Sequence, residues 1–111
     1  MSSEISMEDF KKIKMVVGTI VSAEKVKGSE KLLKLQVDLG QNIVKQSVAG
    51  LGTYYTPEQL VGKQYVFVTN LKPAVLMGQV SEVMVLAAVE GKNRVSLICP
   101  DSNISNGSPV T

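Results

Sequence analysis

The stretch Gly28–Gly40, GSEKLLKLQVDLG, leaves this chain few ways to fold. After a polar turn, Leu33, Leu35, Val37 and Leu39 fall on one side, and Leu32, Lys34, Gln36 and Asp38 on the other. Successive side chains of a strand point to opposite faces, so the alternation predicts a strand with one buried and one mostly wet face. The turn that feeds it carries Lys25, Lys27 and Lys31, with Lys34 on the strand just beyond. Taken alone, each of these lysines reads as ordinary surface charge. Together, on a rigid strand, they form a cluster suited to a polyanion.

The flanking segments read as partners for that strand. Ser6-Met7-Glu8-Asp9 has the pattern of a helix start, with Ser6 as N-cap and acids at the positive end. Phe10 and Ile13 share a face of this short helix and are expected to plug a barrel end. Residues 15–26 are rich in β-branched side chains and predict a first long strand, with Gly18 as its bulge or bend. Ile43–Ala49 predicts a third strand, antiparallel to the second across the Gly40-Gln41-Asn42 turn. In YYTPEQLVGK, Thr56 is an N-cap, Pro57 stands at the first helical position and Gln59 can complete a capping box. Tyr54 and Tyr55, beside that helix, read as core rather than as base-stacking rings.

Gln64–Leu71 predicts a fourth strand, ended by Lys72-Pro73. The segment AVLMGQVS reads as a loop, Glu82–Val89 as a fifth strand, and Glu90–Asn93 as a hairpin turn into a sixth over Arg94–Ile98. Ile104 and Val110 in the polar tail suggest that it is laid against something. Five or six short strands, glycine bends and one helix between the third and fourth strands describe an all-β chain. The expected fold is the OB-fold, a five-stranded Greek-key barrel, over a single domain spanning 1–111.

Composition narrows the function. At 111 residues, with 44% hydrophobic and 20% charged residues, the chain can build one modest core. It has no histidine and one cysteine, Cys99, so the usual neutral-pH acid–base group and most transition-metal sites are missing. No acid pair has a catalytic spacing, and Gly50-Leu51-Gly52 lacks the lysine and helix of a phosphate-binding loop. The expectation is a non-enzyme with no cofactor and no metal. The lone cysteine suits a cytoplasmic protein. No apolar run approaches the ~18–20 residues that cross a bilayer, and the N-terminus lacks a secretory pattern, so no membrane insertion is expected. With no Trp, two Phe and three Tyr, the chain is poor in stacking rings. An RNA ligand would be read through shape and phosphates, by Lys25, Lys27, Lys31, Lys34 and Lys72, with Asn70 and Ser81 within reach of ribose or base edges.

GSEKLLKL (28–35), VAG-x-x-x-YYTPEQLVGK (48–63), NLKP (70–73), G-x-x-SE-x-M-x-LAA (78–88) and the closing PD (100–101) together resemble the tRNA-binding domain family. That family includes free-standing dimeric tRNA-binding proteins, the C-terminal domain of methionyl-tRNA synthetases, and CsaA-like chaperones. The resemblance implies an OB barrel with short helices and a C-terminal extension for dimerisation. Carried over by motif, the RNA-binding positions are Lys31, Lys34, Asn70, Lys72, Ser81 and Met84. Met84 also reads as core at an alternating strand position. After NLKP the family usually places basic residues, where this chain has Ala74, Val75, Leu76 and Met77; Ser81-Glu82-Val83 and Val44-Lys45-Gln46-Ser47 look closer to the CsaA branch. The resemblance therefore implies a non-catalytic, structure-specific tRNA-binding homodimer. The alternatives are a CsaA-like, secretion-related chaperone for unfolded or precursor polypeptides, and a detached dimerisation and tRNA-capture subunit of methionyl-tRNA synthetase.

Overall fold

Alternation in the organising stretch translates directly into the barrel wall. In the computed structural model, which describes residues 3–111, β1 (Met15–Lys25), β2 (Leu33–Asp38) and β3 (Val44–Ala49) form an antiparallel meander. Leu33, Leu35 and Val37 are fully buried, while Lys34, Gln36 and Asp38 keep contact with water. Burying each such side chain stabilises the fold by about 1.5–3 kcal/mol. The short helix α2 (Pro57–Leu60) follows β3, and β4 (Gln64–Val68) then pairs antiparallel with the first half of β1. Thr56 N–H donates to Gln59 Oε1 at 2.8 Å, the backbone half of the expected capping box. Leu60 drops into the core beneath the helix, beside Ile20, Leu35, Tyr65 and Phe67.

The main sheet runs β3-β2-β1-β4-β7, where β7 is Met84–Val85, and a last short strand, β10 (Pro109–Val110), pairs with the start of β1. Between β4 and β7 the chain forms a separate hairpin, β5 (Ala74–Leu76) and β6 (Gln79–Ser81). A second hairpin, β8 (Ala87–Glu90) with β9 (Arg94–Leu97), makes a two-stranded sheet of its own. This is the expected all-β, OB-like barrel.

Several sequence expectations are corrected in detail. The register break in β1 lies between Ile20 and Ser22, not at Gly18. Gly18 instead permits a close crossing, since a Cβ there would stand 2.8 Å from Val37 Cγ1 and 2.9 Å from Leu39 Cδ2. Helix α1 (Met7–Phe10) has the expected Ser6 cap, with Asp9 N–H donating to Ser6 Oγ at 3.1 Å, but it buries nothing and does not plug the barrel. Met7, Phe10 and Ile13 line an outer groove with Pro109 and Val110. The segment 74–81, read as a loop, is a hairpin. The stretch read as one fifth strand is broken at Leu86, whose N–H donates to Val66 O at 3.0 Å while its carbonyl accepts from Ile98 N–H at 3.0 Å. That exchange steers the chain out of the barrel and into β8.

The tail is laid against the barrel, as its apolar residues suggested, though Ile104 itself stays exposed. Gly107 N–H donates to Val17 O at 2.7 Å, and Val17 N–H donates to Ser108 O at 3.0 Å. Gln64 Nε2 and Thr19 Oγ1 each donate to Asn106 Oδ1 at 2.9 Å. Tyr55, half-buried against the core, accepts from Leu97 N–H at 3.2 Å, and Tyr54 Oη donates to Lys92 O at 3.1 Å. Both tyrosines thus fasten the β8–β9 hairpin. Burial, reinforced by Tyr55 and Cys99 nearby, pushes the Tyr65 phenol above its ordinary value.

Two glycines of one loop should respond differently to alanine. A Cβ on Gly52 would collide with the Glu30 carbonyl and stand 3.1 Å from the Lys31 carbonyl carbon, whereas one on Gly50 meets nothing within 4 Å. Gly52→Ala is expected to lower stability by about 1–3 kcal/mol through forced separation of the loop from residues 30–31, and Gly50→Ala to stay within about 0.5 kcal/mol. Urea midpoints of the two variants check this.

Candidate nucleic-acid interface

The basic turn between β1 and β2 is held by its own short-range bonds. Ser29 Oγ accepts from Lys31 N–H at 3.2 Å and from Leu32 N–H at 3.1 Å; Val26 N–H donates to Leu32 O, also at 3.1 Å. From outside, Gly52 N–H donates to Lys31 O at 2.8 Å. Gly28, at φ 86°, supplies the left-handed residue that the reversal needs. Lys25, Lys27 and Lys31 therefore project from a fixed backbone. All three are exposed, and none forms an ion pair among the described residues. Lys34 is different: its Nζ lies 2.9 Å from Glu24 Oε1 across the strand pair, and it is the less exposed partner. A phosphate at Lys34 would have to compete with that carboxylate. Such exposed pairs contribute only about 0–1 kcal/mol, so the exchange is cheap.

The sheet is not closed by a regular ladder. Between β3 and the end of the β5–β6 hairpin, side chains do the joining. Ser81 Oγ accepts from Val48 N–H at 3.0 Å, and Glu82 Oε1 accepts from Gln46 N–H, also at 3.0 Å. Glu82 N–H donates to Gln46 O at 2.7 Å. Gln46 Nε2 donates to Val80 O at 2.8 Å, while Gln46 Oε1 accepts from Gln36 Nε2 at 2.9 Å. Lys45 Nζ, 3.6 Å from Glu82 Oε2, completes the seam. Gln36, Gln46 and Glu82 were given no role from the sequence; the available signal was the SE pair at 81–82.

The six residues expected to face RNA fall into two groups. Lys31 and Lys34 stand at the turn and the start of β2. Ser81 joins them, because Lys34 is the register partner of Val48, the residue that Ser81 holds. Asn70, Lys72 and Met84 gather near the opposite end of β1. Asn70 Oδ1 accepts from Lys14 N–H at 2.9 Å, and its Nδ2 donates to Lys12 O at 2.6 Å, so the amide ties the entry of β1 to the exit of β4. Lys72 is exposed and without an ion pair among the described residues. Met84 pairs with Val68 and points outward, about half exposed, and so is not core. The β5–β6 hairpin bridges the groups, running from Lys72 along β3 until its tip meets the basic turn: a Cβ on Gly28 would lie 3.4 Å from Met77 Cε. The chemistry on offer is a cationic rim around an apolar arm.

With this geometry in hand, residues 15–109 match the family described as "Putative tRNA binding domain". The chain belongs to the tRNA-binding domain family. Among curated relatives, the methionine–tRNA ligase of Methanosarcina mazei is 46% identical over 106 residues, covering 96% of this chain but 15% of that enzyme. The chain thus spans about one sixth of the length of the ligases it matches. Among solved structures, a MetRS related protein from Pyrococcus horikoshii superposes with a TM-score of 0.93 at 35% identity, over 99% of this chain and all of that one. The chaperone CsaA of Bacillus anthracis superposes at 0.90 with 33% identity, over 98% of this chain and all of that one. Within the family fold, the seam makes Ser81 a structural hydroxyl whatever else it touches.

Two serines test that seam. Ser81→Ala leaves the Val48 N–H without its partner and is expected to cost about 1–3 kcal/mol. Ser47, on the core side of β3, buries its hydroxyl with no partner among the described residues, so Ser47→Ala should be neutral or stabilising. Thermal unfolding of both variants gives the comparison.

Proposed function

We propose that this chain is a non-catalytic binding module that captures folded tRNA by shape and phosphate positions, acting as a homodimer in the cytoplasm. The observation that carries the reading is the pinned turn bearing Lys25, Lys27 and Lys31, continued by Lys72 along the hairpin. Cations on an immobile backbone match the fixed phosphate spacing of a folded RNA better than those of an unstructured strand. Lys31 and Lys72 are the phosphate contacts. Lys34 joins them by exchanging its Glu24 partner, and Met84 borders the face. Asn70 and Ser81 support it, their hydrogen bonds to backbone leaving at most spare capacity for a ribose or base edge.

Homodimerisation is assigned to the terminal segments. Met7, Phe10, Ile13, Met15, Pro109 and Val110 line an outer groove of about 610 Å³, and Met7 and Ile13 are exposed there. A second copy seated on this groove would cover them and double the cationic faces offered to one RNA. The same capture role fits an appendage of methionyl-tRNA synthetase, given the likeness to a segment of those ligases.

A second reading is a CsaA-like chaperone for unfolded or precursor polypeptides. It is favoured by the exposed apolar residues Val75, Leu76, Met77 and Val80 and by the likeness to CsaA.

Titration of labelled, folded tRNA across a salt series separates the two. On the tRNA reading, log affinity falls linearly with log salt, and Lys31→Ala and Lys72→Ala each lower the slope by about 1. Denatured tRNA binds more weakly. Absence of binding at low salt, with suppression of aggregation of an unfolded client, would move the assignment to the chaperone.

A further inference from the structure

The hairpin between the two groups of cations carries a feature that phosphate binding does not require. Its turn places Met77 at φ 48° and Gly78 at φ 79°, the paired left-handed residues of a two-residue type I′ hairpin. The first of these positions suits Asn, Asp or Gly; a methionine is held there against its backbone preference. The side chain so placed is 58% exposed, and its neighbour Val75 is 67% exposed. Backbone strain at an exposed apolar tip, in contact with a basic turn, points to a ligand contact rather than to packing.

The surroundings select the ligand. The turn that carries Lys25, Lys27 and Lys31 meets the tip at Gly28, and Lys72 stands at the hairpin's base. Of the nearby acids, Glu24 is engaged by Lys34 and Glu82 by Lys45, and Asp38, at the far end of β2, accepts from Gly40 N–H at 2.8 Å, leaving Glu30 in the turn itself. An apolar knob inside a cationic rim fits a flat apolar ring joined to an anionic backbone. A nucleotide has that structure; an apolar polypeptide segment has no matching negative charge.

We propose that Met77 at the β5–β6 tip is a platform for an exposed nucleobase or base-pair face of the bound RNA, with the neighbouring lysines taking the flanking phosphates. The inference rests on the tRNA-binding reading and assigns to a thioether the stacking role that ring side chains fill in ring-rich binders.

Met77→Asn tests it, because Asn-Gly is the preferred pair for this turn and the hairpin should fold at least as well. Expected are an unchanged or raised melting temperature, tRNA affinity about five- to tenfold weaker at fixed salt, and an unchanged salt slope. Heparin, a polyanion without bases, should bind both proteins equally. Met77→Leu, which keeps the apolar bulk, should retain tRNA affinity. Equal tRNA binding by wild type and Met77→Asn would overturn the proposal, as would an equal loss toward tRNA and heparin. So would a Met77→Asn variant that keeps tRNA but no longer suppresses aggregation of an unfolded client, since the tip would then be a peptide surface. Failure of the wild type itself to bind tRNA at low salt is a separate result, and overturns the underlying reading.

Discussion

The seam between β3 and residues 80–83 is the interaction on which the rest depends. A five-strand sheet ordered β3-β2-β1-β4-β7 has two edges, and each edge exposes unpaired backbone donors and acceptors. Closure here comes mostly from side chains: Ser81 and Glu82 accept from Val48 and Gln46, and Gln46 donates onward to Val80. Side-chain closure tolerates a shape that a ladder would not. It leaves the β5–β6 hairpin free of the barrel's own register, so the hairpin can lean along β3 and set its tip on the turn between β1 and β2.

That placement turns two ordinary elements into one surface. The turn alone is a cationic reversal, and the hairpin alone is an apolar arm of three-residue strands. Held together at Gly28 and Met77, they present charge and apolar area on the same face. The turn is itself anchored by Gly52, whose missing side chain lets the loop after β3 donate to Lys31 O. The path from packing to binding therefore runs through backbone approaches that only small residues allow. The ion pair of Lys34 with Glu24 fits the same logic, since it keeps a lysine oriented on the face at little energetic cost.

How much of this was legible in the sequence depends on the range of the interactions. Leu33, Leu35 and Val37 announce β2 because alternation is local, and Thr56-Pro57 announces α2 because capping is local. The barrel followed from the order of such signals. The hairpin at 74–81 was missed because its turn residue is a methionine, which no turn preference would nominate. The break at Leu86 was missed because it is made by Val66 and Ile98, residues distant in sequence. For the same reason Asn70 and Ser81 looked like free polar groups: their partners, Lys12, Lys14 and Val48, become visible only once the strands are assembled. Exposed lysines have no such partners to reveal, so the assembled strands add nothing to Lys31 and Lys72 beyond their exposure and the lack of an ion pair among the described residues.

The central claim is that one face, built from the 25–34 turn and strand and the 72–77 arm, is where RNA docks. Backbone amide chemical-shift mapping with unlabelled folded tRNA tests this most directly, because it reports every surface at once. The account predicts perturbations concentrated in residues 25–34 and 72–77, with the β8–β9 hairpin unaffected. Perturbations centred on residues 87–97, or none in the 25–34 turn under conditions where the complex forms, would contradict it.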